Sequence, residues 1–118
     1  MPNGDIKKMD FREFRALLLD AQVASDNGAW VEIPPGLDNK TFESTPLEEG
    51  ASDATVSLMV SNAETKPLDA TDGITLVTLT TSVLGVSDLA AWRWIKAKKT
   101  AGTTPIATTV TMVCRKPA

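Results

Sequence analysis

An all-β fold, an antiparallel β-sandwich or barrel of about seven or eight strands, is predicted by three observations. Runs of roughly five to nine residues alternate apolar and polar side chains and are rich in Val, Thr, Ile and Trp, the residues that suit a pleated, half-buried surface. Turn-forming Gly, Pro, Asn and Asp separate these runs about every 8–12 residues, the spacing of sandwiches and barrels. The 7 Gly and 7 Pro of the 118 residues stand between the apolar runs rather than in a tract, so the chain reads as one folded domain with no internal repeat.

The elements follow in order. Residues 1–15 form an N-terminal arm in which Asp10 to Glu13 has the spacing of a capping box, so a short helix is also compatible with it. The domain proper, residues 16–118, opens with a strand from about Ala16, although Leu17, Leu18 and Leu19 leave its inward face ambiguous. Ser25, Asp26, Asn27 and Gly28 supply turn chemistry, which predicts a hairpin into a strand at 29–33. Pro34, Pro35 and Gly36 end that strand, because proline removes ladder donors. A short strand led by Phe42 spans 41–45, and a polar turn follows at 48–53.

Thr55–Ser61 sets Val56, Leu58 and Val60 against Thr55, Ser57 and Met59, a clear period of two. A loop over 67–73 precedes strands at 74–81 and 83–86, with a corner at 88–91. The two last runs, 92–100 and 106–115, are joined by a Gly/Thr/Pro turn and read as a β-hairpin. Cys114 continues the apolar row of Val110 and Met112 and is expected to be a buried small hydrophobe.

Composition narrows the function classes. A formal charge of −3 argues against a dedicated nucleic-acid binder. The basic cluster Arg93, Lys96, Lys98 and Lys99 is better read as a solvated strand edge. Acids outnumber bases over residues 1–50, whereas only bases follow Asp88, an asymmetry that favours contact between unlike parts of neighbouring copies. A membrane partner is not expected, since no run approaches 18 consecutive apolar residues, and the first residues lack the apolar stretch of a secretory signal. Synthesis in the cytoplasm is the matching expectation.

With no His in the chain, Ser-His-Asp and Cys-His arrangements are excluded, and a single Cys leaves no internal disulfide. Glu48 and Glu49 in a turn read as solvated, and Asp69 and Asp72 lack the ligand spacing of a calcium loop. No enzyme activity, cofactor or metal is therefore expected.

The layout of ALLLDAQ, then GAWVEIPPG, KTFES and ATVSLMVSN, closing with WRWIKAKKT and a Thr/Val strand, resembles small virion structural proteins of tailed bacteriophages. In such proteins the penultimate strand often reads aromatic, Ile or Val, Arg or Lys, Ala, as Trp94, Ile95, Lys96 and Ala97 do. The likeness spans residues 16–114. It implies a β-sandwich of jelly-roll-like layout used as a capsid decoration or cement protein, or as a tail or neck component, that is oligomeric, resides in the virion and binds capsid or other virion proteins. The arm, with Phe11 and Phe14, is then a candidate particle-binding element.

Two placements of the tryptophans satisfy the alternation of 92–100. If Ile95 and Ala97 face the core, Trp92, Trp94, Lys96 and Lys98 share the outer face and form a partner-binding row. Otherwise both indoles cover the sandwich interior. Trp30 is expected in the core or packed by a local loop. The outer placement also admits a carbohydrate-binding sandwich with Trp92 and Trp94 as a stacking platform.

Overall fold

The computed structural model describes residues 3–9, 13–46, 55–79, 85–88, 90–101 and 107–116. It is an all-β sandwich of nine strands in two antiparallel sheets: β1 (Asp5–Met9), β2 (Glu13–Gln22), β3 (Val31–Glu32), β4 (Asn39–Pro46), β5 (Thr55–Ser61), β6 (Ile74–Leu79), β7 (Gly85–Asp88), β8 (Trp94–Thr100) and β9 (Thr108–Arg115). The first sheet has the order β1-β2-β9-β4-β7 and the second β3-β8-β5-β6.

That order has a simple logic. From β2 onward, the second strand pairs with the last, β3 with β8, β4 with β7 and β5 with β6, as in one long hairpin folded at the β5–β6 turn. Rolling the hairpin brings β4 beside β9 and β5 beside β8, which closes each sheet. The result is a jelly roll, with β1 added at the edge beside β2.

The core lies between the sheets. Phe14, Ala16 and Leu18 of β2, Phe42 of β4, and Val110, Met112 and Cys114 of β9 face Val56, Leu58 and Val60 of β5 and Ile95 and Ala97 of β8. Each large apolar side chain buried there contributes roughly 1.5–3 kcal/mol. On β2 the strict alternation fails: the register shifts between Leu17 and Leu19 and again before Gln22, and Ala21 has φ 51. These bulges turn both Leu18 and Leu19 inward, which explains why three consecutive leucines could not be assigned a face.

Several expectations change. Residues 92–100 and 106–115 do not form a hairpin: β8 lies in the second sheet and β9 in the first. Each strand carries its own buried row and needs the opposite sheet to cover it, so the two face each other across the core instead of pairing in plane. The turn at Ser25–Gly28 likewise is not a hairpin. Asp26 makes an isolated bridge to Lys99, and β3 pairs with β8, so the chain crosses between sheets there. The N-terminal arm contributes β1, bonded to β2, over 5–9, where a helix was also compatible. Phe14 is fully buried between the sheets rather than offered to a partner, because β2 begins at Glu13 and its alternation turns that ring inward. Phe11, the turn at 48–53 and the first half of the short strand expected at 83–86 lie outside the described residues; the observed strand is β7, shifted toward Asp88.

Cys114 is buried as expected, and desolvation pushes its thiol up from the ordinary 9.0 to about 12. At pH 8 the folded chain is expected to be inert to a thiol reagent, whereas the denatured chain titrates one thiol. The native thiol keeps its proton between about pH 9 and about 12 while the unfolded one loses it. This group therefore makes stability fall with rising pH across that window, and the stability–pH curve of Cys114→Ala is expected to be correspondingly flatter there.

Candidate interaction surface

The outward row of β8, the partner-binding row expected from the sequence, is covered. Ile95 and Ala97 face the core, so Trp94, Lys96 and Lys98 do share the outer face of the second sheet. The connection between β5 and β6 folds back over that face. Trp94 Nε1 donates to the Ala63 carbonyl at 3.0 Å, and Trp30 Nε1 donates to the Leu68 carbonyl at 3.0 Å. Lys96 Nζ donates to the carbonyls of Asp69 at 2.6 Å and Thr71 at 2.8 Å and lies 5.1 Å from the centre of the Trp30 ring. Trp30, Met59 and Trp94 form a second small apolar cluster beneath this roof.

The candidate row is corrected accordingly. Lys96 has no exposed side chain, and burial pulls its pKa below the usual lysine range even though Asp72 opposes the effect. Trp94 is 8% exposed. Lys98 remains partly exposed at the rim, where its ammonium lies 3.0 Å from Asp72; that hydrogen bond is the main cause of the lowered Asp72 pKa. Trp92 is not on the same face at all. The strand begins only at Trp94, the backbone turns at Ala90–Trp92, and the half-buried Trp92 ring packs against the main core. The two tryptophans therefore divide between the two placements the alternation allowed: Trp94 lies on the outer face, and Trp92 packs on the core.

The other sheet presents an open outer face. Because β2, β9, β4 and β7 are adjacent, their registers align Arg15 with Val113, Val113 with Thr41, and Thr41 with Ser87 in one transverse row. A parallel row sets Leu17 against Thr111 and Thr111 against Glu43. Four strands at the usual spacing give a row roughly 14 Å long. All of these residues but Leu17, together with Phe42 and Val86, line a shallow groove of about 570 Å³, with Arg15 and Glu43 supplying opposite charges and Thr41, Ser87 and Thr111 supplying hydroxyls. Such a surface can donate and accept hydrogen bonds along a flat partner.

None of these groove residues stood out in the sequence, since Thr and Glu at the polar positions of a strand read as ordinary solvated side chains. Their only signal was the strand alternation itself. A separate cluster at one end of the sandwich holds a buried lysine: Lys40 Nζ lies 3.2 Å from Asp88 and donates to the carbonyls of Asp38 and Ala90. Among the described residues, no group of three or more His, Cys, Asp or Glu side chains is placed to hold a metal, and no helix is long and apolar enough to cross a membrane. No family model, curated protein or solved structure matches the chain.

Proposed function

We propose that this chain is a non-enzymatic structural protein of a phage particle that decorates or cements the capsid, binding neighbouring capsid subunits through the outer face of the β1-β2-β9-β4-β7 sheet. The observation that carries the reading is the strand order, β2-β9-β4-β7 over β3-β8-β5-β6, a jelly roll of the kind that recurs in viral capsid domains. This is fold-level support. The asymmetry of the two sheets adds to it: one outer face is roofed by the chain itself, while the other offers Arg15, Glu43 and a row of hydroxyls. The arm contributes through β1, which extends that same sheet. A carbohydrate platform made of Trp92 and Trp94 finds no support in the burial of Trp94 beneath residues 62–73.

The test is co-sedimentation of the purified chain with empty capsids, and separately with tails, of the phage that encodes it. The chain is expected to pellet saturably with capsids, and Arg15→Glu combined with Glu43→Arg is expected to weaken binding at least about tenfold while leaving thermal unfolding unchanged. Pelleting with tails alone would move the proposal to a tail or neck component, and pelleting with neither would refute a virion role.

A further inference from the structure

The two sheets end in four edge strands, β1 and β7 in one and β3 and β6 in the other. Three of these edges are blunted in the ways that discourage strand addition. β1 carries Asp5, Lys7 and Lys8 and has a register irregularity between Ile6 and Lys8. β3 is only two residues long, includes Glu32, and is followed closely by Pro34 and Pro35. β7 is four residues long and ends at Asp88, the partner of Lys40.

β6 shares only the irregularity, a register shift opposite Leu58 and Met59 of β5, and has neither the charges, the prolines nor the shortness of the other edges. Its six residues, Ile-Thr-Leu-Val-Thr-Leu, include no charge, proline or glycine, and no charged residue occurs from Gly73 to Gly85. It pairs with β5 on one side, and among the described residues no strand pairs with its other side. Ile74 is 61% exposed, and Thr75 and Thr78 are exposed as well. An uncharged, β-branched strand with a free row of N–H and C=O groups is a template for another strand.

We propose that β6 is a self-association edge, on which a second copy of this chain adds its own β6 antiparallel about a two-fold axis, joining the β3-β8-β5-β6 sheets of two protomers into one. The choice of a second copy rests on charge. In a two-fold antiparallel pair each strand meets its own sequence reversed, so charged residues, as on β1, β3 or β7, are brought toward their own like charges. β6 meets only Thr, Leu, Val and Ile, and six facing residues supply about six backbone hydrogen bonds together with β-branched cross-strand pairs. This association needs no particle and goes beyond the capsid-binding reading.

Sedimentation velocity of the full chain in the absence of capsids tests it. The wild-type chain is expected to be a concentration-dependent dimer. Thr75→Lys with Thr78→Lys, and separately Thr75→Glu with Thr78→Glu, place like charges across the pair and are expected to weaken dimerisation at least about 30-fold. An equimolar mixture of the two variants is expected to dimerise again. A wild-type chain that stays monomeric up to its solubility limit overturns the proposal, whether or not the variants fold; folded variants that dimerise as well as wild type overturn it too. Capsid binding is measured separately, so a monomer that still pellets with capsids refutes only the self-association.

Discussion

Gly28→Ala is expected to destabilise the fold by about 3 kcal/mol, and urea unfolding followed by tryptophan fluorescence reads it directly. Gly28 has φ +74, and a Cβ there would land on the backbone carbonyl of Ala97 in the middle of β8. The left-handed backbone alone costs an L-residue about 1 kcal/mol, and a clash with main chain, which cannot rotate away, adds roughly 1–3 kcal/mol. The position is fixed by its neighbour. Asp26 is tied to Lys99 by two backbone hydrogen bonds of 3.0 and 2.9 Å, and its carboxylate accepts from the Gly28 N–H at 2.7 Å. The crossing from the first sheet to the second is therefore held close against β8. Gly36 is the control: its φ is +86, yet nothing lies within 4 Å of a Cβ built there, so Gly36→Ala is expected to cost only about 1 kcal/mol. Equal effects at the two positions would contradict the close approach at Gly28.

Lys96→Ala is expected to lower stability by roughly 3 kcal/mol and to lift the roof over the second sheet. The ammonium satisfies the carbonyls of Asp69 and Thr71 and sits against Trp30; removing it leaves two acceptors without their donor and empties the volume of a long aliphatic stem. Each unsatisfied buried carbonyl costs about 1–3 kcal/mol unless water reaches it, and water reaches it by displacement of residues 62–73. Three readouts follow from one cause: a lower unfolding midpoint, red-shifted emission from Trp30 and Trp94, and faster cleavage after Glu64, which lies in that connection, by a glutamate-specific protease. Lys96→Met keeps the stem and is expected to fall between wild type and Ala. A Lys96→Ala chain with unchanged emission and stability would show that the lysine does not hold the roof.

The sheet character of the chain was legible because it is written locally. Val56, Leu58 and Val60 alternate with polar neighbours, and Thr55–Ser61 is found as β5 with the same limits. The inward placement of Val110, Met112 and Cys114 follows from the same period, whereas for Ile95 and Ala97 the period allowed either face. Pairing was not legible. Turn chemistry at Ser25–Gly28 and after Thr100 reports that the chain changes direction, but an in-plane hairpin and an arch to the opposite sheet use the same residues. Covering of an outward face was equally invisible. Nothing in WRWIKAKKT announces that residues 62–73, distant in sequence, lie over Trp94 and Lys96. Lys96 and Lys40 illustrate the general difficulty: a lysine in a strand reads as solvated, and only the converging carbonyls around its Nζ reveal that it is interior. The groove on the other sheet stayed hidden for the opposite reason, since Arg15, Thr41 and Ser87 come together only through registers that span the whole chain.

The most direct measurement of the proposed role is hydroxyl-radical footprinting of the chain free and bound to empty capsids. Protection centred on Arg15, Thr41, Glu43 and Val113, with the labelling of Trp30 and Trp94 low and unchanged in both states, is the expected result. A footprint that spares this groove, or a chain that never engages the particle, would contradict the assignment of the outer face of the first sheet as a capsid-binding surface.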